Sequence, residues 1–137
     1  MGRRYQNPAL TVDAVWIDRG RLLLVRRARP PFRGMWALPG GFVELTETVE
    51  DALRRELAEE TGLRAGRLEL LGVYSGPDRD PRKPTTSVAF LVHGRARPPR
   101  GGDDAGEARW VPLREVGRLA FDHRRILGDA VRRRARR

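Results

Sequence analysis

The stretch from Gly40 to Leu63, GGFVELTETVEDALRRELAEETGL, constrains this chain most, because two glycines lead into a helix loaded with glutamates. On a wheel of about 100° per residue with Leu53 at zero, Val49 and Leu57 flank Leu53 and mark the face that must meet a core. Glu56, Glu59 and Glu60 fall at roughly 300°, 240° and 340°, crowding the margin of that face, whereas Glu50, Asp51 and Arg54 lie on the far side. Like charges three and four residues apart repel by roughly 0.2–0.5 kcal/mol per pair on an exposed helix, and by more where water is partly excluded. Arg55, at roughly 200°, can reach Glu59 one turn on, but one guanidinium cannot serve three carboxylates. Oxygen donors with no Cys or His beside them suit a hard divalent cation, Mg2+ or Mn2+. An ordinary surface helix with an Arg–Glu lattice is the alternative that spacing alone leaves open.

The ends of this helix are also written in the chain. Thr48 followed by Asp51 approximates a capping box, so the helix starts near Thr46 to Thr48. Gly62 supplies the left-handed residue that stops it. Pro39-Gly40-Gly41 allows close approach of the main chain, so that a carbonyl can turn toward a cation.

Gly41, then Glu47, then Arg55-Glu56-Leu57-Ala58-Glu59-Glu60-Thr61-Gly62-Leu63 fill every fixed position of a known pattern and resemble the Nudix box. The resemblance implies hydrolysis of a nucleoside diphosphate linked to another group, with water attacking phosphorus and a divalent metal, Mg2+ or Mn2+, assisting. It implies Glu59 and Glu60 as principal metal ligands and Glu56 as a ligand or the base that activates water. It also implies the Gly40 carbonyl as a further ligand and Arg55 as the orienting partner. Beyond the box, NPALTVDAVWI, RRARPPFRGMWALPGGFVE and GVYSGPDRDPR look similar to the ADP-ribose pyrophosphatase branch, a likeness covering roughly Asn7 to Val131. That branch converts ADP-ribose to AMP and ribose 5-phosphate, and dimerisation is common in it, which implies a homodimer. Other branches act on oxidised nucleoside triphosphates, dinucleotides or NADH, and a non-catalytic ADP-ribose-sensing module is a reading from a different class. Lys83-Pro84 stands where the pyrophosphatase branch would have a Gly-His pair, which puts the contacts of that loop in question.

The chain has 137 residues, 39% hydrophobic and 34% charged, which describes one globular domain. Residues 1–131 are read as that domain and the basic run 132–137 as a solvated, frayed and disordered tail. The net charge of +10 favours anionic partners. A phosphorylated small molecule fits better than nucleic acid, because no zinc-finger spacing, aromatic RNA-binding signature or helix-turn-helix is present. There is no membrane-spanning apolar run. Gln6, Asn7, Pro8 and Asp13 interrupt what would be a signal sequence, so a cytoplasmic protein is expected. Without cysteine there is no thiolate ligand or thiol nucleophile.

In chain order, Ala9 to Ile17 alternates like a strand, and Asp18-Arg19-Gly20 is a turn into Leu22 to Val25, continuous enough in hydrophobicity to be covered on both faces. The Pro- and Gly-broken segment Arg26 to Gly34 is a loop whose Arg27, Arg29 and Arg33 could grip pyrophosphate oxygens. A strand over Arg67 to Ser75 precedes a loop, Gly76 to Pro84, in which Arg79 is a candidate substrate contact. After the strand Thr85 to Val92 comes the acidic turn Gly101 to Val111, and the resemblance implies that a carboxylate from this region, Asp104 or Glu107, serves the metals, the water or the substrate. Leu113 to Leu119 and Phe121 to Val131 read as helices. His93 and His123 are isolated, with no metal-ligand spacing to a partner. Strand, helix and strand order point to an α/β fold with a mixed sheet covered on both faces, which the resemblance sharpens to a Nudix α/β/α sandwich.

Overall fold

A computed structural model describes residues 6–101 and 106–136. Strand β1 (Ala9–Asp18) turns into β2 (Arg21–Arg26) through Arg19 and Gly20, which have φ values of 52° and 75°. Two successive positive φ angles match the twist of the hairpin strands they join. The two strands pair only beside the turn, at Ile17 with Leu22 and Asp18 with Arg21. They then separate, and the short strands β3 (Trp36–Ala37) and β4 (Gly40–Phe42) fill the fork.

β4 pairs with β1 at Thr11 to Asp13, and β3 pairs with β2 at Val25 and Arg26. On the outer edge of β1 lies β6 (Thr85–Val92), parallel, followed by antiparallel β5 (Leu68–Tyr74). On the outer edge of β2 lies antiparallel β7 (Glu107–Pro112). The result is a mixed sheet with β1 as its common member.

Alternation along β1 divides the core in two. Val12, Ala14 and Trp16 face helix α1 (Val49–Thr61) and pack with its Ala52, Leu53 and Leu57. Val15, on the opposite face, packs with Ile126, Leu127 and Ala130 of helix α2 (His123–Ala135). Leu22 and Leu24 join the second cluster and Leu23 the first, so this strand is covered on both sides as its sequence predicts. Each fully buried leucine of α1 contributes about 1.5–3 kcal/mol, which outweighs the local repulsion among its glutamates. Together the two helical layers and the sheet form the expected α/β/α sandwich.

The caps of α1 follow the sequence reading. Thr48 Oγ1 accepts from the Asp51 N–H at 3.0 Å, and Gly62 has φ 71° while its N–H reaches the Ala58 carbonyl at 3.0 Å.

Two helical expectations need correction. Leu113 to Leu119 forms only a 3-10 turn, Leu113–Glu115. Beyond it Leu119 bridges to Trp36, and the Ala120 N–H bonds the Trp36 carbonyl at 2.9 Å, so cross-strand bonding replaces the helix. At the other end, α2 starts at His123 and continues through Ala135, taking in most of the run expected as a disordered tail. Arg133 explains the extension, because its guanidinium donates to the Leu70 and Leu71 carbonyls at 3.3 and 3.1 Å. A register shift between Leu70 and Gly72 interrupts the β5 ladder there, and the guanidinium satisfies carbonyls at the irregularity.

Candidate active site

The fork between β1 and β2 opens into a cavity of about 570 Å³. One wall is built by α1. Its Glu56, Glu59 and Glu60 line the cavity beside the backbone of Gly40 and Gly41. Arg55 ties this wall together. Its Nε and Nη2 donate to the two oxygens of Glu47 at 2.6 and 2.9 Å, and Nη2 also donates to the Phe42 carbonyl at 3.0 Å. Nη1 donates to Glu56 at 2.8 Å and to Glu59 at 3.2 Å. One side chain therefore fixes both the loop before the helix and the carboxylates on it. The Arg55 hydrogen bonds hold the Glu47 carboxyl down at about 2, and Glu47, reinforced by Glu56, in turn raises the Arg55 pKa.

Glu60 has the opposite environment. It turns inward and accepts from the Gly40 N–H at 3.2 Å. Burial, then a hydrogen bond and repulsion from Glu56, push its pKa well above the ordinary carboxylate range. Without a cation, Glu60 therefore holds a proton more readily than an ordinary carboxyl. Glu59 is the most open of the set, with 60% of its side chain exposed.

The two glycines beside these acids have different neighbours. A Cβ on Gly41 would lie 2.5 Å from the Glu56 carboxyl carbon, so the absence of a side chain makes room for that carboxylate. A Cβ on Gly40 would lie 2.0 Å from the Val12 carbonyl oxygen. Gly40 is thus required by strand packing and Gly41 by the carboxylate.

The facing wall is basic and aromatic. Arg27, Arg82, Phe42 and Phe121 line it. The Arg27 guanidinium stands 4.9 Å from the centre of the Phe121 ring, and that of Arg82 lies 5.2 Å from Phe42 and 5.8 Å from Phe121. Burial, and then repulsion from Arg82, lower the pKa of Arg27. Two guanidinium groups in one partly desolvated wall form a seat for an anion. Asp80, only 5% exposed, holds Arg82 in this position by accepting from its Nε at 3.1 Å and Nη2 at 2.8 Å.

Other predicted residues are engaged differently. Arg79 reaches the cavity wall, but its guanidinium is turned inward and bound to both oxygens of Asp122 at 2.9 and 2.7 Å, so it anchors the Gly76 to Pro84 loop to the start of α2. Arg33 is exposed and is not among the residues lining the cavity. Glu107 sits in β7, is paired with Arg26 and Arg109, and also lies outside that lining. Asp104 lies outside the described residues.

Sequence reasoning missed Asp13, Asp80, Arg82 and His123, all of which line the cavity. Asp13 carried a signal, since a charged residue between Val12 and Ala14 breaks an otherwise apolar strand. Asp80 and Arg82 stood in the loop already singled out. His123 gave no local signal, because its partners are distant in the chain.

Hard oxygen donors, a buried carboxyl pushed toward its neutral form and a glycine cradle fit a divalent cation chemically. Among the described residues, no three acidic or histidine side chains converge as a ready-made cage. Arg55 donates to only one oxygen of each of Glu56 and Glu59, at 2.8 and 3.2 Å.

A cleft lined both by the acids of α1 and by two guanidinium groups is suited to a phosphorylated ligand rather than an apolar one. A NUDIX domain model matches residues 7–132. The chain belongs to the Nudix family and is a Nudix hydrolase. It is 47% identical over 130 residues to an ADP-ribose pyrophosphatase of Methanocaldococcus jannaschii, covering 95% of this chain and 77% of that protein. It is also 34% identical to an ADPR-responsive transcriptional repressor, NtrR, of Acinetobacter baylyi, covering 94% of this chain but only 55% of the repressor. Among solved structures, the NUDIX domain of Shewanella oneidensis NrtR complexed with ADP ribose superposes with a TM-score of 0.88 at 32% identity, covering 94% of this chain and 90% of that one. A MutT/nudix family protein of Enterococcus faecalis gives 0.90 at 34% identity, covering this whole chain and 66% of that one. No helix of the described residues is long and apolar enough to cross a membrane.

Proposed function

We propose that this Nudix hydrolase cleaves the pyrophosphate bond of ADP-ribose, giving AMP and ribose 5-phosphate, with Mg2+ or Mn2+. The observation that carries the proposal is that Glu56, Glu59 and Glu60 line one cavity together with Arg27 and Arg82. The similarity to the archaeal ADP-ribose pyrophosphatase over 95% of the chain supports the choice of substrate.

Glu56, Glu59, Glu60 and the Gly40 carbonyl would hold the cation, which when bound polarises the diphosphate and lowers the pKa of the attacking water. The remaining work falls to the chain itself. Arg27 and Arg82 bind the diphosphate oxygens and orient phosphorus toward the glutamates. Glu56 is positioned to take the proton of water, because Arg55 holds one of its oxygens and so aligns the carboxylate. Arg55 also keeps Glu59 turned toward the same side.

The test is a panel of ADP-ribose, oxidised nucleoside triphosphates, dinucleotides and NADH with each metal, followed by product identification. Highest kcat/KM for ADP-ribose with AMP as product is expected. A preference for a triphosphate would overturn the substrate assignment, and no turnover of any member would overturn the chemistry. The likeness to the NtrR repressor favours a second reading, in which ADP-ribose is bound and not cleaved; stoichiometric binding without product would establish it. The homodimer implied by the pyrophosphatase branch forms part of the same proposal and is tested by analytical ultracentrifugation.

A further inference from the structure

Asp13 and His123 belong to the α2 side of the sheet but line the same cavity as the glutamates, and both are almost fully buried, at 6% and 4% exposure. A buried carboxylate costs several kcal/mol unless it is fully paired, and even then is a poor contributor to stability compared with an apolar side chain, by about 1–4 kcal/mol. Asp13 is nonetheless well supplied: Ser87 Oγ donates to one oxygen, His123 Nε2 lies 3.3 Å from the other, and the Arg79 guanidinium stands 3.8 Å away.

The other ring nitrogen of His123 shows what the pair is attached to. His123 Nδ1 accepts the Leu38 N–H at 3.0 Å. An Nδ1 that accepts carries no proton, so the neutral ring has its hydrogen on Nε2, pointing at Asp13. The imidazole is then a rigid spacer between the carboxylate and the backbone of Leu38.

Leu38, Pro39 and Gly40 form a bracket with three successive attachments. The Leu38 N–H is held by His123 from the α2 side. The Pro39 carbonyl accepts from the Ala14 N–H of β1 at 2.8 Å. The Gly40 N–H is held by Glu60 from the α1 side. Proline has no N–H of its own to add a further tie. His123 and Glu60 therefore grip opposite ends of one three-residue segment through the sheet. Asp13 closes the circuit, since its backbone pairs with Gly40 and a Cβ on Gly40 would sit 2.9 Å from its Oδ1.

We propose that Asp13 and His123 are a positioning pair for the acidic wall, setting the orientation of the Gly40 backbone and the Glu60 carboxyl through the Leu38 to Gly40 bracket. Neither residue touches the reacting atoms in this role. The proposal rests on the reading of the acidic wall as a divalent-cation site.

The experiment compares His123→Asn, His123→Gln and His123→Ala. The Asn side chain places an acceptor near the position of Nδ1 and can keep the Leu38 tie, whereas Gln reaches toward the position of Nε2 and Ala reaches neither. Mn2+ affinity without substrate, measured by electron paramagnetic resonance, and kcat at saturating ADP-ribose are the readouts. The Ala and Gln variants are expected to weaken Mn2+ binding and lower kcat by about 10- to 100-fold, with Asn recovering most of both and KM changing little. Tyr74→Phe serves as control, because it removes the Tyr74 to Asp129 hydrogen bond to α2 without touching the bracket. If all three His123 variants lose thermal stability as the control does yet keep wild-type kcat and Mn2+ affinity per folded molecule, the proposal is wrong. Nitrogen NMR of the wild-type imidazole is a test independent of folding variants, and a proton found on Nδ1 would overturn the proposal. Wild-type protein that bound no Mn2+ would instead overturn the cation-site reading on which it stands.

Discussion

Replacing Gly41 by Ala probes the carboxylate geometry with a single methyl group. The new Cβ would stand 2.5 Å from the Glu56 carboxyl carbon and 2.6 Å from each of its oxygens, where ordinary contact begins at 3.4 Å. The carboxylate must therefore retreat by 3.4 − 2.5 = 0.9 Å. The fold can accept this, because Gly41 does not have a left-handed φ and the obstructing group is the end of a flexible side chain. Glu56 cannot retreat that far and keep its 2.8 Å bond from Arg55. A displacement of about 1 Å at a reacting group costs about 100-fold in rate, equivalent to about 2.7 kcal/mol of transition-state stabilisation. The assay is steady-state hydrolysis of ADP-ribose at saturating metal, with a thermal melt on the same preparation. A folded Gly41→Ala protein with kcat within twofold of wild type would refute the reasoning. Gly40→Ala is the contrasting case: its Cβ meets the Val12 backbone oxygen at 2.0 Å, so the strands must part. That variant loses about 3 kcal/mol or more of stability, read as a fall in the urea midpoint.

Three further outcomes follow from the same contacts. Glu59→Gln, which keeps the size of the side chain and removes its charge, weakens Mn2+ binding and lowers kcat by about tenfold or more, measured by metal titration and initial rates. Arg79→Ala leaves Asp122 and Asp13 without their shared guanidinium and lowers unfolding free energy by about 3 kcal/mol, whereas Arg33→Ala changes both stability and kcat/KM little, as urea melts and rates will show. Asp80 is opposed by burial, but its bonds from Arg82 prevail and lower its pKa below the ordinary 3.8. Its stabilising contribution is therefore complete above about pH 4 and is lost as pH falls through the depressed folded value. The urea midpoint of Asp80→Asn should be flatter than wild type across that acid range.

The first core and one wall of the site were legible because they depend on neighbours in the chain. The spacing of Val49, Leu53 and Leu57 fixes the inward face of α1, and that alone determines where Glu56, Glu59 and Glu60 emerge. Thr48 and Gly62 mark its ends by local hydrogen bonding. What escaped depends on topology. His123 meets Asp13 and Leu38 only because α2 packs across the sheet from α1, and no spacing in the sequence encodes that meeting. Arg79 looked like a ligand grip, but its side chain is only 6% exposed and its buried charge is met by Asp122. The arginines after Val131 looked like a solvated end, yet one of them, Arg133, found carbonyls at the β5 irregularity and carried the helix onward.

The loop between β2 and β3 leaves the sheet through a closed neck: the Arg27 N–H bonds the Met35 carbonyl at 2.9 Å, and the Gly34 N–H bonds the Arg27 carbonyl at 2.8 Å. Beyond that neck the segment reaches back at two points, where the Pro31 carbonyl accepts from Arg27 Nε at 2.7 Å and the Phe32 ring meets Phe121 edge-on at 4.9 Å. The segment is in effect a replaceable cassette, bringing Ala28 and Arg29 to the rim of the cleft while the acids on α1 stay where the core sets them. Exchanging that cassette would alter which molecules enter the cleft and, through Pro31 and Phe32, the set of Arg27 and Phe121, while leaving the Arg55 network on α1 in place.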